Sequence, residues 1–183
     1  MNNDENLEEN VIEIKEEEKM ASTSENIQRA LKRSEYANMM QVGDNTFIRM
    51  GKGLSEYKKS MNGQKEDYQW IHEDSPSHEV ENYAPSYDGT LKCFKNEPLF
   101  EYLFPLYKSR AIGAKAHIKV ADVYIFDENS DGSFPAEVSD ATIMFKEFDG
   151  KELSFEIDPN GDPEFGKMVI ANGKGTFTAD TEE

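Results

Sequence analysis

Between Asn96 and Gly113 the apolar residues recur at three- and four-residue spacing, with Leu99, Leu103 and Leu106 interleaved with Phe100, Phe104 and Tyr107. That spacing gathers one broad apolar face on a helix, and a single helix of this kind packs on a sheet. Asn96 suits the N-cap, Pro98 the first turn, Glu97 and Glu101 the positive end, and Lys108 and Arg110 the negative end, with Gly113 as the stop. Pro105 removes a helical hydrogen bond and predicts a kink or an end at the preceding turn.

The rest of the chain after Met39 follows the period of strands. Thr46–Met50 alternates, Gly51-Lys-Gly53 predicts a bulge or tight bend, and Leu54–Met61 either continues that strand or pairs back before an Asn62-Gly63 turn. Residues 64–86 are polar, with Trp70, Ile71, Tyr83 and the adjoining Tyr87 as isolated large groups and Pro76 and Pro85 as breakers, which predicts a long loop anchored by aromatics. Loops of that length are usually functional, and here the role is to reach another subunit. Leu91–Phe94 predicts a strand into the helix. Ala116–Phe126 is the longest strand signal, with Ile118, Val120, Tyr124 and Phe126 on one face and Ala121, Val123 and Ile125 on the other, the mark of a strand covered on both sides.

A turn at Asn129–Pro135 leads through Val138 to Phe148, Asp149-Gly150 turns into Leu153, Phe155 and Ile157, and Asp158–Pro163 turns again. Phe165–Ile170 and Thr176–Thr178 close the pattern around Asn172-Gly173. The predicted fold class is mainly β, an antiparallel sandwich or barrel with one packed helix.

Before this region lies a different composition. Residues 1–20 hold eight acids against two lysines, with a small apolar knot at Val11, Ile12 and Ile14, and read as an acidic, solvated arm. Ser22–Glu25 has the form of a capping box opening a short helix through Ile27, Ala30, Leu31 and Tyr36. The expected division is therefore an arm over 1–35 and a β domain over 36–183.

Charge narrows the function classes. A net charge of -17 disfavours a surface that grips nucleic acid, since such surfaces gain affinity from Lys and Arg neutralising phosphates. The same sign suits a wall that DNA passes without sticking. The one cysteine, Cys93, has no internal partner, and neither a membrane-length apolar run nor a signal-peptide pattern is present, so the expected site of synthesis is a reducing, intracellular one.

Catalytic and metal motifs are sparse. Asp127–Gly132 matches the first half of a calcium loop, but the twelfth position is Val138 instead of a bidentate Glu, which favours a solvated turn. His72, His78 and His117 lack metal-ligand spacing, and no phosphate loop or nucleophile elbow occurs. The expectation is no enzyme, no cofactor and no metal. The competing class is a monomeric calcium-dependent or carbohydrate-recognising β-sandwich module.

Five segments, taken in order, resemble a known family. Trp70-Ile-His-Glu-Asp-Ser75, Val80-Glu-Asn-Tyr-Ala-Pro85, Asn96-Glu-Pro-Leu-Phe-Glu-Tyr102, Arg110-Ala-Ile-Gly-Ala114 and Asn160-Gly-Asp-Pro-Glu-Phe-Gly166 resemble the major tail tube proteins of long-tailed bacteriophages and related prophage elements, over roughly residues 39–178. The family's usual Gly-Asp-Pro before the helix is Glu97-Pro98 here, Pro105 is foreign to the pattern, and the acidic arm lies outside it. The resemblance implies a β-sandwich with a flanking helix that assembles into hexameric rings. These stack into a hollow tube, partnered by tape-measure or baseplate components, through which DNA passes without specific binding. It further implies a virion protein made in the host bacterial cytoplasm, with no membrane partner. Trp70, Ile71, Val80, Tyr83 and Tyr87 are the residues expected at contacts between subunits, because exposed aromatic anchors are typical of interface cores.

Overall fold

Apolar residues on both faces of one strand need two cores, and the computed structural model of the chain has two. It describes residues 29–72 and 74–180. By contact the chain divides into Met1–Lys32 and Arg33–Glu183. The acidic segment 1–20 and the capping box at Ser22–Glu25 lie outside the described residues. The described part of the first unit, residues 29–32, forms neither helix nor strand.

The second unit contains eleven antiparallel strands and one α-helix among its described residues. They are β1 (Tyr36–Gly43), β2 (Thr46–Arg49), β3 (Leu54–Ser60), β4 (Gly63–Tyr68), β5 (Ser77–Tyr83), β6 (Ser86–Lys92), α1 (Pro98–Lys108), β7 (His117–Tyr124), β8 (Phe134–Phe148), β9 (Glu152–Pro159), β10 (Glu164–Ala171) and β11 (Lys174–Ala179). Of the short helix expected as far as Tyr36, the described residues hold only its far end, where 29–32 are neither helix nor strand and Arg33–Glu35 make a single 3-10 turn. Tyr36 instead opens β1, where it is registered against Tyr124 of β7 with the two rings 5.8 Å apart.

Nine strands form one sheet in the order β10-β11-β2-β1-β7-β8-β9-β6-β3, and β10 pairs back on β8. That return closes β10-β11-β2-β1-β7-β8 into a six-stranded barrel. Its interior holds Ala37, Met39, Phe47, Ala121, Val123, Ala136, Val138 and Met168. Closure depends on the length of β8: Phe134–Val138 pairs with β10, Ala136–Thr142 with β7, and Ala141–Phe148 with β9. Gly175 permits the close approach inside, since a Cβ there would meet Met168 Sδ at 2.6 Å and Met39 Cε at 2.9 Å.

The second core lies on the other side of the same wall. Met40, Ile118, Val120, Ala141 and Ile143 meet Leu153, Phe155 and Ile157 of β9, Tyr87 and Leu91 of β6, and Leu99 and Leu103 of α1. The predicted two-sided strand is thus β7, with alternate residues in alternate cores. At about 25 cal/mol per Å² of apolar surface removed from water, these two clusters supply the main driving force of the fold.

Several local expectations change. β3 pairs with β6 and not with β2, because Gly53, at φ 86°, turns the chain away after β2 and β3 lies along Lys92–Ser86 instead. The strand expected over Leu91–Phe94 is displaced to Ser86–Lys92, where Tyr87, Gly89 and Leu91 face inward. The helix does not end at the turn before Pro105: it runs on to Lys108, and the Ser109 N–H caps it by donating to the Pro105 carbonyl. Pro105 and Glu101 are both exposed, so the carbonyl left without a helical donor is on the solvent side. The N-cap is Glu97, with no side-chain cap bond, and Asn96 instead takes φ 65° while its N–H donates to Glu101 Oε1. The helix stops before Gly113: Arg110, just past the Ser109 cap, takes φ 49°, and Gly113, also left-handed at φ 57°, instead opens a 3-10 turn over Gly113–Ala116. Leu99 and Leu103 are fully buried, and Phe100 and Phe104 are half-buried, with Phe104 packed between Phe100 and Phe148.

Candidate interaction surface

The segment expected to be a long loop is a hairpin. Among the described residues β4 and β5 pair only with each other, from Gly63 opposite Tyr83 to Tyr68 opposite Ser77, and form a separate two-stranded sheet. Every residue of both strands is exposed. With neither face covered there is no hydrophobic alternation to read, which is why the strands are hidden in the sequence. Local pairing holds the register: His78 Nδ1 lies 2.5 Å from Asp67 Oδ1, the Tyr68 hydroxyl donates to Glu66, and the ring of Tyr83 lies over Gly63, where a Cβ would come within 3.0 Å of it. At the root Asn62 Nδ2 donates to the carbonyl of Ala84 and to Ser86 Oγ, each at 3.0 Å.

The predicted contact residues separate into two groups. Trp70 is 60% exposed and Ile71 wholly so, both at the turn between β4 and β5, while Val80 and Tyr83 are exposed along β5. Tyr87 does not join them: it is 2% exposed, on the inward face of β6. Its ring stacks on Tyr57 with centroids 5.3 Å apart, and its hydroxyl donates to Asp122 Oδ2 at 2.8 Å. A tyrosine with both its ring and its hydroxyl satisfied inside the fold is a core residue, so the candidate contact set becomes Trp70, Ile71, Val80 and Tyr83.

The sheet that carries the hairpin is open at two edges. Among the described residues β3 pairs on one side only, with β6, and residues 143–148 of β8 pair on one side only, with β9. Unpaired edges of this kind are templates for strand addition.

Beneath the root of the hairpin lies a recess of about 340 Å³ bordered by Met61, Tyr83, Pro85, Pro159 and Pro163, with Lys59 and Glu137 among its lining. Behind it is a buried polar cluster that sequence reasoning missed. Asp122 Oδ2 accepts from Lys59 Nζ at 2.7 Å and from the Tyr87 hydroxyl, and Oδ1 accepts from Asn38 Nδ2 at 2.5 Å. Lys59 also contacts the carboxylate of Glu137. Burial alone would raise the Asp122 carboxyl, but the hydrogen bond and charge of Lys59, with the Tyr87 and Tyr36 hydroxyls, hold it below its ordinary value. Burial and the Asp122 charge push the Tyr36, Tyr57 and Tyr87 hydroxyls up, so these tyrosines remain neutral donors. One signal was available: the alternation of β7 places Asp122 on the same face as Ile118 and Val120, and a carboxylate there must be paired.

The half calcium motif folds onto itself. Asp131 accepts from the Ser133 backbone N–H at 3.0 Å and from Ser133 Oγ at 2.5 Å, and these bonds hold its carboxyl below the usual range. Among the described residues no group of three or more His, Cys, Asp or Glu is placed to hold a metal ion, and His72, His78 and His117 are not gathered. No described helix is long and apolar enough to cross a membrane.

No protein-family profile and no curated protein matches the chain. Among solved structures it is similar to a chain of the anti-feeding prophage baseplate, seen by electron cryomicroscopy with six-fold symmetry, at 7% identity and a TM-score of 0.43 over 76% of this chain and 96% of that one. A likeness of that degree assigns neither function nor partner.

Proposed function

We propose that this protein is a structural subunit that assembles with copies of itself through the β4–β5 hairpin, as the tail tube subunit of a phage or prophage particle. The observation that carries this reading is the hairpin itself, exposed along its whole length with Trp70 and Ile71 at its far end. An isolated two-stranded hairpin is marginally stable in water, so one that presents large apolar groups is suited to order against a partner. The open edges at β3 and at residues 143–148 support the same reading. They belong to one four-stranded sheet, and joining the first edge of one copy to the second edge of the next is a heterologous contact, the kind from which closed rings are built when the rotation per copy divides a full turn. The resemblance of residues 39–178 to tail tube proteins supplies the six-fold ring, the stacking, the other tail components as partners and the passage of DNA.

The test is to remove the hairpin. Asn62 and Ala84 are already adjacent at its root, so residues 63–83 can be replaced by a short Gly-Ser turn without disturbing β3 and β6. Sedimentation velocity should find assemblies for the full chain and monomers for the shortened one, with the same β-sheet circular dichroism. Assemblies of unchanged size from the shortened chain would overturn the reading.

A further inference from the structure

The cluster beneath the hairpin has the parts of a bond-forming site. Lys59 on β3, Asp122 on β7 and Glu137 on β8 are far apart in sequence, yet Nζ lies 2.7 Å from Asp122 Oδ2 and also contacts the carboxylate of Glu137. The three side chains are 24%, 2% and 13% exposed. Tyr57 and Tyr87 wall the site, with Nζ 5.4 Å from the centre of the Tyr87 ring. Asn38 Nδ2 and the Tyr87 hydroxyl donate to the two oxygens of Asp122.

We propose that Lys59 and Asp122 condense in the folded chain to an isopeptide bond, with Glu137 as the catalytic residue that carries the proton. Glu137 takes a proton from the Lys59 ammonium, and the freed lone pair attacks Cγ of Asp122, forming the C–N bond. Negative charge then gathers on the carboxylate oxygens, where Asn38 and Tyr87 already donate, an arrangement that stabilises the tetrahedral intermediate. Glu137 returns its proton to the departing oxygen, a second proton follows from nitrogen, and the C–O bond breaks with loss of water. An ammonium and a carboxylate have become a secondary amide and one water; Glu137 is unchanged and no oxidant or cofactor is used. Condensation that is unfavourable between free molecules becomes accessible because the fold holds the reactants at an effective concentration of order 10⁵ M or more.

Burial would lower the amine's pKa, but the bonds to Asp122 and Glu137 outweigh it and keep Lys59 protonated. Attack therefore waits on transfer to Glu137, and the bond forms slowly after folding. Lys146 makes a useful contrast. It too bridges two carboxylates, Asp88 and Glu156, but Lys146 and Asp88 are about half exposed, and water there competes for every group. The consequence of the bond is mechanical. It ties β3, the strand that leads into the hairpin, to the barrel wall in a chain whose lone cysteine cannot make a disulfide.

Intact-mass spectrometry of the purified full chain, followed over days in the folded state, tests this. The expected mass falls to one water below that of the sequence, and a tryptic digest joins Lys59–Lys65 to Val120–Lys146. Lys59→Met and Glu137→Gln keep the full mass, and circular dichroism shows that Glu137→Gln is folded. Aged protein at full mass would overturn the proposal. So would a water loss that persists in Lys59→Met, which marks cyclisation at an Asp-Gly step such as Asp131-Gly132.

Discussion

The ring of Phe155 occupies the space above Gly89, its cross-strand partner, so that a Cβ on Gly89 would stand 2.5 Å from Phe155 Cζ. Phe155 is fully buried in the core it shares with Tyr87 and Leu91 of β6 and Leu99 and Leu103 of α1. Gly89→Ala should therefore cost about 1–3 kcal/mol through overpacking, read as a lower urea midpoint. An unchanged midpoint would mean that the core on this side is loose.

How much of this was legible in the sequence depended on whether a residue's environment is set by its neighbours along the chain. β7, the helical face of Leu99 and Leu103, and the returns at Asn129–Pro135, Asp149-Gly150 and Asn172-Gly173 all follow from local period and turn chemistry. The helix outlasting Pro105 did not, because that depends on which side of the helix faces water. The hairpin was opaque because nothing covers it. Tyr87 looks like a contact residue in the sequence because the residues that satisfy it, Tyr57 and Asp122, come from other strands. The Lys59–Asp122–Glu137 cluster was invisible for the same reason, since only the crossing of β3 over the barrel wall brings the three together.

Removing the lysine of that cluster exposes its electrostatics. In Lys59→Met the burial that raises Asp122 is opposed only by the Tyr87 and Tyr36 hydroxyls and no longer by a charge, and its carboxyl is expected to move above the ordinary value of 3.8. A carboxyl whose folded pKa exceeds its unfolded one stabilises the fold below the unfolded pKa, and that stability is lost as pH rises. Urea melts of Lys59→Met should weaken from pH 4 to pH 7, measured against Lys59→Met/Asp122→Leu, where the carboxyl is gone. Near neutrality the cost of the single change, measured against freshly folded wild type in which the ammonium and carboxylate are still an ion pair, should reach about 3–5 kcal/mol, the usual penalty for leaving a buried charge unpaired. Parallel pH profiles of the single and double variants would contradict it.

Trp70 is the only tryptophan in the chain and sits at the end of the hairpin, so its emission reports one location. Dilute protein should emit like an exposed indole, and the maximum should shift to the blue as concentration rises and the hairpin is covered. Emission that is independent of concentration while assemblies form would show that the contact lies elsewhere.

Charge opposes association. Six copies of a chain of net charge -17 bring about a hundred negative charges into one ring, so self-repulsion must be screened for subunits to approach. The screening length falls from about 30 Å at 0.01 M salt to about 8 Å at 0.15 M. Light scattering from purified protein should rise across that range. Scattering that falls as salt is added would mean that attractive ion pairs hold the copies together.

The most direct measurement is negative-stain electron microscopy of the full chain, purified alone and concentrated at physiological salt. The account predicts ring-shaped particles with a central opening and, at higher concentration, rods built by stacking those rings. A field of single, compact monomers at every concentration would contradict it.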